Sequence, residues 1–331
     1  MIKTIRFWYR NARPISLPQS LLPALTAAAL CYGEAEYDLT AAAIAILGVI
    51  CLHLALNLLD DWFDYRVGSA EARQTVSDEG FRCRIVKYPY LTSGEATHSQ
   101  LLGAVAVLML LAATAGALVI ALRGWPVLGW MLLAFVIGTS YSGGPLRLGF
   151  RGLGELVIFI MFGPLLMTGV YYSVTGTVGW NIVWLSTAVG MLVTNIVYSH
   201  SVLDAEPDRK MGKKTMAHLM GSRKGQILFS ALLNTLPYLT VALGVALGQL
   251  HPAYLTVFLL LPVSLWLVGS LNDFVNRRDT PLEPKRWMGP MGDFDQYRRY
   301  GIDWFMLRWL TARNIVTMFC TLLIVVNLIF G

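Results

Sequence analysis

The chain is dominated by long apolar runs that are separated by short polar segments. Of its 331 residues, 56% are hydrophobic and 14% are charged, whereas a soluble domain carries roughly 25% charged residues. A membrane-spanning helix needs about 20 mostly apolar residues, and nine runs are candidates for such helices. They cover residues 15–33, 40–62, 99–122, 125–141, 153–175, 180–203, 226–247, 252–271 and 312–330. The pattern predicts an all-α integral membrane protein, with residues 1–331 forming a single transmembrane domain of about nine helices.

The basic residues are distributed asymmetrically between the two ends of these predicted helices. With nine spans, every Lys and Arg except Arg123 falls on the side of the membrane that also holds the N-terminus. Because basic loops stay in the cytoplasm, we expect a cytoplasmic N-terminus and an external C-terminus. The net charge of +6 then reflects topology and anion binding, and nothing indicates binding to nucleic acid. The amphipathic stretch 301–313 is expected to lie along the cytoplasmic membrane surface.

Acidic residues follow two of the apolar runs in matching patterns. The stretches "DDWFDYRVG" and "DAEPDRKMG" both contain Asp-x3-Asp-x3-Gly, beginning at Asp60 and at Asp204. Residues four apart share one face of a helix. Acids at a helix end often only face water, so a single pair would carry little information. Two pairs with the same spacing, after the second and the sixth run, indicate an internal repeat of two four-helix halves plus one extra helix. They also indicate function, because ionisable residues at membrane depth are costly.

The chemistry of these acids points to magnesium and a diphosphate. Converging carboxylates repel one another unless cations lie between them, and Mg²⁺ typically takes one or two carboxylates together with substrate phosphates and water. Basic residues cluster beside both acid pairs: Arg66, Lys87, Arg209, Lys210, Lys213 and Lys214. Acids for a metal and bases for phosphate indicate a metal-bound diphosphate, and the apolar bundle indicates that the rest of the substrate is a lipid. A polyprenyl diphosphate meets both requirements.

These motifs resemble those of the UbiA superfamily of intramembrane prenyltransferases. The stretch "DAEPDRKMGKKTMAHLMG" is similar to that family's DxxxDxxxGK[RK]T signature, the first acid set to its NDxxD motif, and "ARPISLPQSLLPAL" to its RPxTLP opening. The segment 141–172, which begins "YSGGPLRLGFRGLGELV", is similar to the 1,4-dihydroxy-2-naphthoate polyprenyltransferases, the branch that makes menaquinone precursors. Gly68 stands where other branches carry a third acid. The resemblance covers roughly residues 10–270.

The resemblance implies Mg²⁺-assisted ionisation of a polyprenyl diphosphate to an allylic carbocation and transfer to an aromatic acceptor, expected to be 1,4-dihydroxy-2-naphthoate. It implies catalytic roles for five acids: Asp60, Asp61, Asp64, Asp204 and Asp208. All of these except Asp61 are expected to bind Mg²⁺. The candidate diphosphate ligands, of which half are expected to make direct contact, are Arg13, Lys87, Arg151, Arg209, Lys213 and Lys214. Contacts to the acceptor are expected from Asn57, Tyr141 and His200.

Three positions depart from the family pattern and leave the acceptor open. Asp60 stands where the motif has Asn, although Asn57 lies one turn earlier on the same face; His200 and Ser201 stand where the branch usually has two Asn residues. A membrane terpene cyclase of the same superfamily and a transporter are alternatives, since internal repeats also occur in transporters. The acids lie at helix ends and not at the bilayer midplane, which favours an enzyme. We expect it in a bacterial-type inner membrane with a cytoplasmic active site.

Overall fold

The chain forms a bundle of apolar helices in a computed structural model that describes residues 2–66, 68–79, 88–278 and 282–330. Within these residues, nine apolar helices lie at the nine predicted places, and we number them α1 to α9. Their bounds are Pro18–Ala29, Leu39–Arg66, His98–Arg123, Pro126–Ser142, Gly154–Thr175, Trp180–Leu203, Arg223–Ala246, Pro252–Val275 and Asp303–Phe330. The described residues contain no β-strand, and the all-α prediction is confirmed.

Helix length separates α1 and α4 from the other seven helices. Each of those seven has 22 to 28 residues and is apolar enough to cross a membrane, which confirms an integral membrane bundle. Helix α4 has 17 residues and α1 has 12, so both are shorter than the usual span of about 20 residues. Within the described ranges, the predicted count of nine spans is therefore consistent with the fold, while length and composition together identify seven candidate spans.

Helix α6 lies at the centre of the bundle and packs against α5, α7 and α9. Its side chains Leu185 and Leu192 are fully buried. The contact with α5 is close because Gly163 faces Gly190, and a Cβ on either residue would lie within 3.0 Å of the other helix's backbone. Gly163 belongs to a π-helical turn, Met161–Leu165, whose proline removes one backbone donor. The wide turn and the two glycines together let α5 approach the centre of the bundle.

The helix ends form two layers, and polar contacts connect the ends in one of them. Arg123, at the end of α3, donates to the backbone oxygen of Glu36 at 2.9 Å. Asn327 of α9 donates to the backbone oxygen of Ala29 at 2.7 Å and accepts from the hydroxyl of Tyr254 at 2.9 Å. One layer therefore holds the α1–α2 loop and the ends of α3 and α9. Because successive helices alternate in direction, both acid sets lie in the opposite layer.

Helix α9 begins earlier than the sequence pattern predicts. The stretch 301–313 is predicted to lie along the membrane surface, but Asp303–Phe330 is one continuous helix within the bundle. Phe305 is fully buried, and Arg308 is only 1% exposed and donates to Ser270 Oγ at 2.9 Å. The surface-helix prediction is wrong because the basic residue that suggested a solvated face finds hydrogen-bond acceptors inside the protein.

Labelling of introduced cysteines tests the predicted orientation. In a variant whose four native cysteines are replaced by serine, Glu36→Cys is expected to react with a membrane-impermeant maleimide added to intact cells. Ser93→Cys, in the loop before α3, is expected to react only after the membrane is permeabilised, because basic loops stay in the cytoplasm. Both residues are exposed, so their accessibility within the protein is matched. Labelling of Ser93→Cys from outside would contradict the predicted orientation.

Candidate functional site

A cavity of about 300 Å³ lies where the two acid sets meet. It is bounded by the segment before α1 and by α2, α4, α5, α6 and α9. The carboxylates of Asp60, Asp64 and Asp208 line it, together with the basic side chains of Arg13 and Lys213. We call it the polar cavity. It brings acids from both halves of the predicted repeat to one space.

A second cavity, of about 370 Å³, lies between α2, α3, α4 and α5. Apolar side chains line most of it, and we call it the apolar cavity. The two cavities share a wall formed by His53, Leu56, Asn57, Met161 and Phe162. Leu132 and Phe135 line the apolar cavity and are 55% and 50% exposed. The apolar cavity therefore reaches the outer, lipid-facing surface of α4.

The first acid set occupies the last turns of α2 and is held by an arginine from the N-terminal segment. Arg13 Nη2 lies 3.1 Å from Asp60 Oδ2 and 3.3 Å from Asp61 Oδ1. Tyr90 donates to Asp61 Oδ2 at 3.0 Å; burial, and then the charge of Asp61, raise the pKa of this hydroxyl, so it remains a donor. Asp61 has no exposed surface and does not line the cavity. Asp61 therefore orients Arg13 from the side that faces away from the polar cavity, whereas Asp60 and Asp64 face the cavity.

The second acid set begins at the end of α6 and is bridged by one guanidinium group. Arg73, on the short helix Ser69–Asp78, places Nη1 3.1 Å from Asp204 Oδ2 and Nη2 3.1 Å from Asp208 Oδ1. All three residues are at most 3% exposed. Burial lowers the pKa of Arg73, but the charges of the two carboxylates outweigh it and raise that pKa. Arg73 thus bridges the second acid set and offsets part of its negative charge, and Lys213 offsets more at Asp208.

Two of the six predicted diphosphate ligands reach the polar cavity among the described residues, namely Arg13 and Lys213. Lys213 Nζ lies 3.3 Å from Asp208 Oδ2. Three others have exposed side chains that do not line the cavity: Arg151, Arg209 and Lys214. Arg151 and Lys214 instead pair through their backbones, which joins the loop before α5 to the loop before α7. Lys87 lies outside the described residues.

The three residues expected to contact the acceptor all line the polar cavity: Asn57, Tyr141 and His200. The Tyr141 ring packs on Gly149 and Gly154, where an added Cβ would come within 3.2 and 3.3 Å of ring atoms. Any larger residue at either glycine would displace the ring. His200 Nε2 lies 3.0 Å from Asp204 Oδ2, so this histidine joins the cavity wall to the second acid set.

Two candidate functional residues are not evident from the motifs, Arg73 and Glu155. Glu155, in the first turn of α5, is 3% exposed and lines the polar cavity. A sequence signal for it exists, since it is the one acid in the apolar run 153–175, where an ionisable group is costly. Arg73 carries no comparable signal, because its partners lie 131 and 135 residues away along the chain.

The acid sets fit Mg²⁺ better than a transition metal. In the part of the chain that the structure describes, no three His, Cys, Asp or Glu side chains lie close enough together to hold a metal ion. Protein zinc sites use three or four such ligands, whereas Mg²⁺ uses one or two carboxylates and completes its shell with water and phosphate. Each acid set offers carboxylates whose charge a single arginine offsets only in part here. The donors therefore suit Mg²⁺ held jointly by carboxylates and a diphosphate.

Comparison with known proteins adds independent information. The model of the UbiA prenyltransferase family matches residues 20–289. A relative from Synechocystis sp. named 2-carboxy-1,4-naphthoquinone phytyltransferase is 27% identical over 274 residues, covering 82% of this chain and 84% of the relative. One from Bacillus subtilis named 1,4-dihydroxy-2-naphthoate octaprenyltransferase is 28% identical over 254 residues, covering 77% and 78%. A UbiA homolog from Archaeoglobus fulgidus, solved bound to GPP and Mg²⁺, shares the fold with a TM-score of 0.57 at 16% identity, covering 94% of this chain and 99% of that one.

Removal of the Arg73 side chain tests its neutralising role. Arg73→Ala leaves two buried carboxylates without their shared guanidinium, and breaking a buried ion pair in this way costs roughly 3–5 kcal/mol of unfolding free energy. We expect this loss for purified protein in detergent with EDTA. Addition of Mg²⁺ is expected to restore part of the stability, because a cation can then take the place of the arginine between the carboxylates.

The matched control is Glu79→Gln, which removes an exposed ion pair with Lys210 that tethers the same short helix. Exposed pairs contribute at most about 1 kcal/mol, so this variant should unfold close to the wild type with or without Mg²⁺. Equal unfolding free energies for Arg73→Ala and Glu79→Gln in EDTA would contradict the assigned role of Arg73.

Proposed function

Because the chain belongs to the UbiA prenyltransferase family, we propose that it transfers a polyprenyl group from a polyprenyl diphosphate to 1,4-dihydroxy-2-naphthoate, with Mg²⁺, in menaquinone biosynthesis. The family and the named relatives indicate a prenyltransferase, which sets the transporter alternative aside. The observation that carries the proposal is the shared wall between a charged cavity and an apolar one. A diphosphate and its isoprenoid tail need these two environments side by side.

The polar cavity suits the diphosphate. We assign the coordination of Mg²⁺ to Asp60 and Asp64 in the first set and to Asp204 and Asp208 in the second. When bound, Mg²⁺ neutralises the charge that develops on the leaving diphosphate. Arg13 and Lys213 contact phosphate oxygens from the same cavity. A basic rim that attracts the anionic substrate is assigned to Arg151, Arg209 and Lys214, whose side chains are exposed, while Lys87 stays a candidate from the sequence. Since Arg73 lies 3.1 Å from Asp204, this carboxylate becomes available to a cation only when Arg73 moves.

The apolar cavity suits the isoprenoid tail. Its volume of about 370 Å³ holds the first isoprene units, and burial of each methylene contributes about 0.8 kcal/mol. A longer tail continues past Leu132 and Phe135, which are half exposed on the outer face of α4. The tail therefore needs no closed pocket of its own length, because the bilayer solvates the remainder.

The carbocation forms where the two cavities meet. Leu56, Met161 and Phe162 of the shared wall exclude water, which would otherwise capture the cation. Tyr141 lines the polar cavity, and the face of an aromatic ring stabilises positive charge. Asn57 and His200 supply polar contacts for the acceptor. Attack by the electron-rich ring of the acceptor then completes the transfer.

Substitution of the first acid set tests the metal assignment. Asp64→Asn is expected to lower turnover roughly 100-fold by removing a cavity-facing ligand, and Asp60→Asn only about 10-fold. The milder effect at residue 60 follows because the amide oxygen of Asn can still accept from Arg13 while its NH2 group donates to the Ser142 hydroxyl, the two groups that contact Asp60 here, and because the family motif itself carries Asn. Release of pyrophosphate at varied Mg²⁺ is the measurement. Near-normal activity of Asp64→Asn at limiting Mg²⁺ would rule out its role as a ligand.

The acceptor is identified by product analysis. Mass spectrometry with saturating polyprenyl diphosphate should give a higher kcat/KM for 1,4-dihydroxy-2-naphthoate than for 4-hydroxybenzoate or homogentisate. His200→Asn should change the ratio of these values more than it changes the KM for the diphosphate, since His200 lines the cavity wall. If the naphthoate is not the best of the three acceptors, the branch assignment fails and the family assignment stands. A cyclised hydrocarbon formed from the diphosphate alone would instead identify a terpene cyclase.

A further inference from the structure

Glu155 is an acid of the polar cavity that belongs to neither acid set. Ser201 Oγ donates to Glu155 Oε1 at 2.7 Å, and the backbone N–H of Met216 donates to Oε2 at 3.4 Å. Both donors are neutral, and no Lys, Arg or His of the described residues forms an ion pair with this carboxylate. Glu155 is therefore a cavity-lining carboxylate held by neutral hydrogen bonds.

The carboxylates of the acid sets have a different electrostatic setting. Asp60 lies 3.1 Å from Arg13, Asp208 lies 3.3 Å from Lys213, and the charge of Asp64 acts on both Arg13 and Arg73. A positive neighbour stabilises an ionised carboxylate and makes it a poorer proton acceptor, and a bound Mg²⁺ acts in the same direction. Lys213 also acts on Glu155, but from beyond ion-pair distance, and Glu155 is thus the cavity carboxylate best suited to accept a proton.

Prenyl transfer requires such an acceptor. When a hydroxylated ring attacks a carbocation without losing a proton, the positive charge passes to the ring inside an apolar, water-poor cavity, where an unpaired charge is costly. Removal of the hydroxyl proton during the attack avoids that charged intermediate. A positioned general base typically contributes about 10²–10⁴-fold to such a step.

We propose that Glu155 accepts the hydroxyl proton of the aromatic acceptor during prenyl transfer, an inference that rests on the function proposed above. The allylic C–O bond breaks, and its electron pair leaves with the diphosphate. A π electron pair of the ring forms the new C–C bond, the hydroxyl proton passes to Glu155, and the O–H electron pair becomes the second bond of a carbonyl group. The ring regains aromaticity when the substituted carbon releases a proton to an oxygen of the departed diphosphate, or releases carbon dioxide if it carries a carboxylate, and the carbonyl oxygen takes the proton back from Glu155.

Ser201 has a positioning role in this scheme. Its hydroxyl, on α6, donates to Oε1 and fixes the direction of the carboxylate, which lies on α5. Ser201 lines the same cavity. When Glu155 becomes protonated, the serine oxygen can accept from it, so the contact persists through the proton transfer.

The test separates ionisation of the donor from transfer to the acceptor. Glu155→Gln keeps one oxygen that can accept from the Met216 N–H, and its NH2 group can donate to the Ser201 hydroxyl oxygen, but the amide does not take a proton. We expect formation of the prenylated ring to fall about 100-fold. Scrambling of an oxygen-18 label from the bridging position of the prenyl diphosphate, which reports ionisation alone, should stay close to wild type. The cation should instead be captured by water, so prenol should become a larger share of the product.

Two further variants control for structural effects. Glu155→Asp keeps a carboxylate and is expected to recover part of the transfer lost in Glu155→Gln, and Ser201→Ala is expected to lose less transfer than Glu155→Gln. If Glu155→Gln does not fold, Glu155→Asp decides, since only its transfer and not its label scrambling should fall.

Wild-type transfer by Glu155→Gln, or a parallel loss of label scrambling and transfer, would overturn the proton-acceptor role while leaving the proposed function intact. A wild-type enzyme that ionises the donor but prenylates no aromatic acceptor would overturn both.

Discussion

Burial of several carboxylates at one end of an apolar bundle is the constraint on which the rest of this structure depends. Asp61, Asp204 and Asp208 are at most 1% exposed, and a buried ion without compensation costs several kcal/mol. Positive groups must therefore come within contact distance. Arg13 from the N-terminal segment and Arg73 from the short helix after α2 meet this need. These contacts bring the N-terminal segment and the short helix against the ends of α2 and α6.

The same compensation divides the acids by role. Asp61 and Asp204 contact Arg13 and Arg73 from outside the polar cavity, whereas Asp60 and Asp208 contact the same two arginines from the cavity side and Asp64 lines the cavity. The charged side chains are thereby concentrated in the polar cavity. The wall that it shares with the apolar cavity is left almost free of charge. A reaction that separates an anionic diphosphate from a carbocation needs this sharp boundary. The diphosphate must be stabilised by cations, and the carbocation must be kept away from water.

Hydrophobicity alone determined most of the fold. Nine apolar runs predict nine helices at the places where nine apolar helices occur among the described residues, because a lipid-embedded backbone must satisfy its hydrogen bonds within each segment. Helix α9 is the exception. Its first turns carry Arg308, and a basic residue among apolar ones has the pattern of a surface helix; the acceptor Ser270 that permits burial is 38 residues away along the chain.

For the candidate site, the sequence by itself determined the composition and spacing of the two acid sets, because both are local features of helix ends. It also indicated the cavity residues Tyr141, His200 and Lys213 through short motifs. Only the tertiary structure decided which acids face the cavity, that Arg73 bridges the second set, and that Glu155 lies beside the expected reaction with neutral partners. Local spacing establishes which residues share a helix face. The direction of that face, and the charge that meets it, depend on contacts that no local pattern encodes, between residues that are 46 apart along the chain for Glu155 and Ser201 and 135 apart for Arg73 and Asp208.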